Sequence, residues 1–266
     1  MVALGKFYSM KYKTLKVNIQ KRLGWITIKR RKKLNALNRE TLAELQHALA
    51  ILEEDDNVRL LVIRGAGDIA FVAGADIQEL AELSAEDGAA LAYKGNQQVF
   101  DYIEHYNKPV IAAVNGYALG GGLELAMACH LRVFANTAKV GMPETSLGLI
   151  PGYGGTQRLP QLVGRGRAME LLLTGDMIDA QRAHEIGLAN AVCSPNELET
   201  KVRELAAAIL KNAPEAQQQL LAAVRAGYDP QTDGYAVETE GFGACFETDN
   251  FKQGTKAFLQ KRKPKY

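Results

Sequence analysis

The sequence predicts an α/β protein: a mostly parallel sheet with helices packed outside it, followed by a region made of helices. Three observations carry this. From Leu15 to Ala135, short β-branched runs alternate with segments whose apolar residues recur at helical spacing, the order produced by parallel strands and crossover helices. From Gln157 onward strand-like runs become rare while the helical spacing continues. The chain of 266 residues is 47% hydrophobic and 23% charged, which is enough to bury a large core, and it has no Pro/Ser-rich linker to separate moving domains.

In order, Leu15 to Gln20 and Gly24 to Lys29 read as two strands joined in a hairpin through Lys21-Arg22-Leu23-Gly24. The basic run Lys29 to Lys33 leads to Asn38, which is placed to cap a helix from Arg39 to about Glu54 with Leu42, Leu45, Leu49 and Leu52 on one face. Leu60 to Ile63 is a buried strand running into a glycine- and alanine-rich segment that ends at Ile77. A long helical stretch covers about Ser84 to Tyr106, and Val110 to Val114 and Leu131 to Ala135 are further strands. Val140 to Thr156 holds glycine and proline too densely for a long regular element and reads as a shaped loop. Beyond it, Ala168 to Leu173, Ala180 to Ile186, Glu197 to Lys211, Ala213 to Ala226, about Tyr235 to Thr248 and Asn250 to Lys261 read as helices, with Ala189 to Cys193 as a strand among them.

The centre of this arrangement is Asn115-Gly-Tyr-Ala-Leu-Gly-Gly-Gly-Leu-Glu-Leu-Ala-Met-Ala-Cys129, read as strand end, glycine turn and helix. Gly120, Gly121 and Gly122 have no Cβ, so an outside group can approach their N–H donors at a helix start, where the dipole favours negative charge. Glu124 interrupts the apolar face just beyond them. On spacing alone the stretch is either an oxyanion site beside a carboxylate or a tight turn followed by a solvent-facing Glu. A nucleotide loop is disfavoured, because neither glycine fingerprint for phosphate binding is present and Glu124 would repel a phosphate.

Charge and cysteine usage exclude other classes. The net charge of +2 argues against wholesale nucleic-acid binding, although the first 39 residues hold no Asp or Glu. That basic segment keeps an RNA-binding alternative in view, opposed by its lack of interleaved aromatics. Cys129, Cys193 and Cys245 are widely spaced and the four histidines are scattered, so no metal site is expected and a reducing, cytoplasmic setting is. His130 beside Cys129 is a weak start for a nucleophile pair. No long apolar span or signal segment is present, so no membrane partner is expected.

Ala73-Gly-Ala-Asp-Ile77, the Asn115 to Leu125 motif, Pro143-Glu144 and Pro151-Gly-Tyr-Gly-Gly-Thr-Gln157 together resemble the crotonase, or enoyl-CoA hydratase/isomerase, superfamily in identity and order. The likeness includes Leu34-Asn-Ala-Leu37 and Leu173-Thr-Gly-Asp-Met-Ile178 and runs from about Thr14 to the basic residues near the end. It implies a crotonase-like spiral of repeated β-β-α units over residues 14–195, a C-terminal helical trimerisation region over 196–266, and an N-terminal extension over 1–13. It also implies an acyl-CoA thioester as partner, no separate cofactor, and a homotrimer or a dimer of trimers.

By match to the motifs, the resemblance makes the N–H groups of Ala75 and Gly121 the oxyanion hole and Glu124 and Glu144 the acid/base pair. Keeping both glutamates points to hydration of a 2-trans-enoyl-CoA. Alternatives on the same hole are double-bond isomerisation and hydration of branched, methylglutaconyl-type substrates. Lys32, Ala73, Asp76, Ile77 and Gln78 are implied as CoA contacts, and Phe258 and Lys261 as contacts to the adenine end from a neighbouring subunit. Two departures stand out. In Arg31-Lys32-Lys33, Lys32 aligns with the lysine of the usual Arg-Pro-Lys-Ala while basic residues replace its proline and alanine, and Tyr153 stands where a small residue is common, either narrowing the acyl pocket or pointing into the core.

Overall fold

The computed structural model describes residues 11–266, so most of the expected extension over residues 1–13 lies outside the described residues. β1 (Leu15–Gln20) and β2 (Leu23–Ile28) pair antiparallel, with Gln20 opposite Leu23. The turn is therefore Lys21-Arg22 alone, at φ 50° and 68°, and Leu23 and Gly24 belong to the strand, not to the turn that the sequence suggests. Two successive left-handed residues match the right-handed twist of the strands they join.

After a short 3-10 turn at Arg31–Lys33, α1 (Arg39–Glu54) is capped by the Asn38 side chain, which accepts from the Thr41 N–H. Its Leu42, Leu45, Leu49 and Leu52 are buried, as their spacing predicts. β3 (Leu60–Gly65) and β4 (Ala70–Val72) follow, then α2 (Ile77–Leu80). The long helical stretch is α3 (Ala85–Gly95), capped by Ser84, continuing through a π turn at Asn96–Phe100 into α4 (Asp101–Glu104). Next come β5 (Val110–Val114), β6 (Tyr117–Leu119), α5 (Gly121–Ala128), β7 (Leu131–Ala135) and β8 (Lys139–Gly141).

The shaped loop holds a 3-10 turn at Pro143–Leu147 and the start of α6 (Gly155–Val163), a helix that the proline and glycine density of this stretch conceals. α7 (Arg165–Thr174), β9 (Met177–Asp179), α8 (Ala180–Glu185) and β10 (Ala191–Cys193) complete the core. α9 (Leu198–Ile209), α10 (Pro214–Ala226), α11 (Gly234–Cys245) and α12 (Asp249–Leu259) form the helical C-terminal region.

Two sheets result. One has the order β1-β2-β3-β5-β7-β10 and is parallel apart from the β1/β2 hairpin. The other has the order β4-β6-β8-β9, with only β8/β9 antiparallel. The pairs β3/β4, β5/β6 and β7/β8 each lay their first strand in the larger sheet and their second in the smaller before helix returns the chain, while β1 and β2 both lie in the larger sheet. This is the β-β-α spiral that the resemblance implies. The larger sheet is buried on both faces: Ile26, Ile63 and Ala112 face the main core, while Trp25, Val62, Ile111 and Val133 pack under Val202 and Ala206 of α9. Such strands read as unbroken apolar runs in sequence.

Candidate active site

The site forms where α5 starts against β4. A Cβ on Gly122 would collide with the Val72 carbonyl, so only glycine lets the helix start lie directly on that strand. This contact brings the following Ala73–Ala75 segment to the mouth of α5. A Cβ built on Gly121 would stand 3.7 Å from the Ala75 nitrogen. Asp76 donates its N–H to the Leu37 carbonyl and Leu37 donates to Gly74, which pins the backbone on either side of Ala75. Among the described residues, neither the Ala75 nor the Gly121 N–H donates to a protein acceptor. Two backbone donors from different turns are thus left for an outside acceptor beside a helix N-terminus.

Glu124, one helical turn into α5, is 1% exposed. Its Oε1 accepts the N–H groups of Tyr153 and Gly155, each at 2.8 Å. Burial pushes its carboxyl up to about 7; the two N–H donors and Arg158 oppose this, and the neighbouring Glu144 adds to it. Glu144 projects from the 3-10 turn towards the glycine turn, where a Cβ on Gly120 would collide with its carboxylate. Its Oε2 is buried without a hydrogen-bond partner among the described residues, and burial raises its pKa as well. Two carboxyls whose ionised forms burial disfavours, beside unpaired N–H donors, can exchange protons with a bound molecule.

These groups line one cavity of about 520 Å³. Ala73, Ala75, Ile77, Gly121, Glu124 and Glu144 all face it, with Leu80, Leu83, Leu91 and Leu119 supplying apolar wall. Tyr153 packs into the core and also borders the cavity. Its ring is 6% exposed and stacks on Phe100 with centroids 4.6 Å apart, yet it lines the cavity beside Gly121.

Lys32, Asp76 and Gln78 do not line this cavity. Asp76 is ion-paired with Arg30 at 2.9 Å, which holds its carboxyl below the usual range. Gln78 accepts from Lys33 Nζ at 2.6 Å, and Lys32 is exposed on the 3-10 turn. Around the Arg31–Lys33 departure the chain turns through Leu34 and Asn35, both at positive φ. Phe258 is 82% exposed on α12, and it and Lys261 border a separate surface hollow, not the cavity of their own chain.

Arg30, Asn35 and Asn115 support the site; Asn35 and Asn115 stand in recognised motifs, whereas Arg30 does not. Asn35 donates to the Ala66 and Ala70 carbonyls, and Asn115 donates to Gly67 and Ala70 while accepting from the Gly65 N–H. Together they shape the turn that delivers β4. The signal for Asn35 is its place in Leu34-Asn-Ala-Leu37, although that motif gave it no role. Cys129 and His130 do not form a nucleophile pair: the thiol donates to the Leu125 carbonyl and burial pushes it up to about 12, while His130 Nδ1 accepts from the Val110 N–H. Among the described residues, no group of three or more His, Cys, Asp or Glu could hold a metal ion, and no helix is long and apolar enough to cross a membrane.

Comparison with known proteins places this geometry among relatives. The family model described as enoyl-CoA hydratase/isomerase matches residues 18–266. The chain is 46% identical over 258 residues to the crotonyl-CoA hydratase of Syntrophomonas wolfei, covering 97% of this chain and 99% of that one. It is 45% identical over 239 residues to the short-chain-enoyl-CoA hydratase of Clostridium acetobutylicum, covering 90% and 91%. The crystal structure of enoyl-CoA hydratase from Bacillus anthracis superposes with a TM-score of 0.90 at 38% identity, covering 96% of this chain and 99% of that one.

Proposed function

The chain belongs to the enoyl-CoA hydratase/isomerase family, and from that premise we propose that it hydrates a 2-trans-enoyl-CoA to the 3-hydroxyacyl-CoA. The observation that carries this reading is the meeting of two unpaired backbone donors, at Ala75 and Gly121, with the buried Glu124 and half-buried Glu144 carboxyls in one cavity.

The thioester oxygen takes the Ala75 and Gly121 N–H groups. As the water oxygen bonds to C3, Glu124 accepts a water proton and the C2–C3 π electrons move onto the thioester as an enolate. Preorganised donors at that oxygen lower the barrier by roughly 3 kcal/mol each. Glu144 then gives its proton to C2 and the enolate collapses. Glu124 ends protonated and Glu144 ionised, and one proton passing back between them restores the pair. Atoms and charge balance with no redox or metal group taking part.

Tyr153, clamped on Phe100 beside Gly121, supports a short acyl chain, in line with the crotonyl and short-chain names of the two relatives. The assembly we propose is a homotrimer or a dimer of trimers in the cytoplasm. Val224, Tyr235, Phe242 and Phe258 of the C-terminal helices are more than half exposed, an apolar surface suited to a second copy. In such an assembly Phe258 and Lys261 would serve a neighbour's CoA.

The test is loss of the enoyl-thioester absorbance of crotonyl-CoA, extended over chain lengths and branched substrates with product identification. Hydration fastest on short chains, abolished by Glu144→Gln, is expected. A shifted double bond in place of a 3-hydroxy product would mean isomerisation, and no turnover on any chain length would overturn the reading.

A further inference from the structure

Glu124 does not hold its own position. Its Oε1 is fixed by the N–H groups of Tyr153 and Gly155, so its geometry is that of the loop carrying them. That loop is gripped from behind by Arg158, the fourth residue of α6, which is 6% exposed. Arg158 Nη1 donates to the Tyr153 carbonyl at 2.7 Å and to Asn96 Oδ1 at 3.3 Å. Its Nε donates to Glu104 at 2.8 Å and its Nη2 to Asp101 at 2.5 Å. A Cβ on Gly154, at φ 89°, would collide with the guanidinium, so the loop lies flat against it.

Apart from the Tyr153 carbonyl, the partners of Arg158 come from the π turn and the α4 helix that continues it. The i to i+5 geometry of the π turn brings Asn96 and Asp101 onto one side, where the Asn96 amide donates to Asp101 at 2.9 Å. The same turn presents Phe100 to the Tyr153 ring, and Gly95 leaves the space that ring needs. Backbone and side chain of Tyr153 are therefore held from a single helical turn, through contacts that include a guanidinium fork bonded to fixed acceptors.

We propose that Arg158, anchored by Asp101 and Glu104 of α4 just after the π turn, is a positioning residue for Glu124, holding the Tyr153–Gly155 loop so that Glu124 keeps its Oε1 on that loop and its other oxygen towards the cavity. The groups acting on the Glu124 carboxyl are the Glu144 carboxyl, the Arg158 guanidinium and the Tyr153 phenol. Arg158 favours the ionised form, and its two acids temper that influence.

The experiment follows crotonyl-CoA hydration against pH together with the carboxyl titration of Glu124 in protein carrying 13C-labelled glutamate, assigned with Glu124→Gln. Arg158→Gln is expected to move the Glu124 midpoint to higher pH and Glu104→Gln to lower pH, each by about half a unit or more. Arg158→Gln loses about tenfold or more in kcat with KM nearly unchanged. Arg158→Lys restores the midpoint but not all of kcat, because an ammonium cannot reproduce the fork. Coincident midpoints in wild type, Arg158→Gln and Glu104→Gln overturn the proposal. If Arg158→Gln does not fold, a Glu104→Gln midpoint equal to wild type overturns it. The catalytic part rests on the hydratase reading: a wild type that hydrates no enoyl-CoA sinks that reading, whereas the titration still decides this one.

Discussion

Replacing Glu124 by Gln should abolish hydration and, above neutral pH, make the protein more stable. Gln keeps an Oε1 that can accept the Tyr153 and Gly155 N–H groups but carries no charge to desolvate. In the wild type, burial raises this carboxyl from 4.5 to about 7, so the folded state holds the proton more tightly than the unfolded chain does. The sign follows. Below about pH 4.5 the group is protonated in both states and costs nothing. As pH rises from 4.5 to 7 the unfolded chain ionises first and wild-type stability falls. Above that window the loss is complete, at about 3 kcal/mol for a shift of this size. With an unfolding entropy of about 2.1 cal/mol/K per residue, that corresponds to about 5 °C in Tm. Thermal and urea unfolding of both proteins at pH 5 and pH 8 measure it. A Tm difference that is flat with pH, or a variant less stable at pH 8, would refute the account of Glu124 as a carboxylate kept under strain by its burial.

Gly120→Ala puts a Cβ onto the Glu144 carboxylate at a backbone φ of 49°; kcat should fall by about a hundredfold or more, and an unchanged kcat would count against this placement of Glu144. Gly122→Ala drives a Cβ into the Val72 carbonyl and should cost about 3 kcal/mol in urea unfolding, because backbone on both sides must move. Tyr153→Ala removes the ring stacked on Phe100; kcat/KM for an eight-carbon enoyl-CoA should rise about tenfold relative to crotonyl-CoA, and an unchanged ratio would place the chain-length limit elsewhere on the cavity wall.

The larger sheet could be read from sequence because both its faces are buried, which makes β5 an unbroken apolar run and leaves β3 and β7 apolar except for Arg64 and Arg132. The smaller sheet could not. β4, β6, β8 and β9 have three residues each, too few for an alternating pattern, and their pairing is set by what lies above them in the spiral. The same distinction runs through the site. Gly120 and Gly122 announce a constraint because a Cβ at either would meet an atom, but which atom, the Glu144 carboxylate or the Val72 carbonyl, comes from distant parts of the chain. Glu124 announces itself by breaking an apolar helix face, whereas nothing local shows that a loop near residue 154 holds it, or that Arg158 and the π turn hold the loop. Single residues record their own steric and electrostatic demands. Apart from the Arg158 bond to the nearby Tyr153 carbonyl, the partners meeting those demands lie about 24 to 62 positions away, and only the repeated β-β-α winding brings them together.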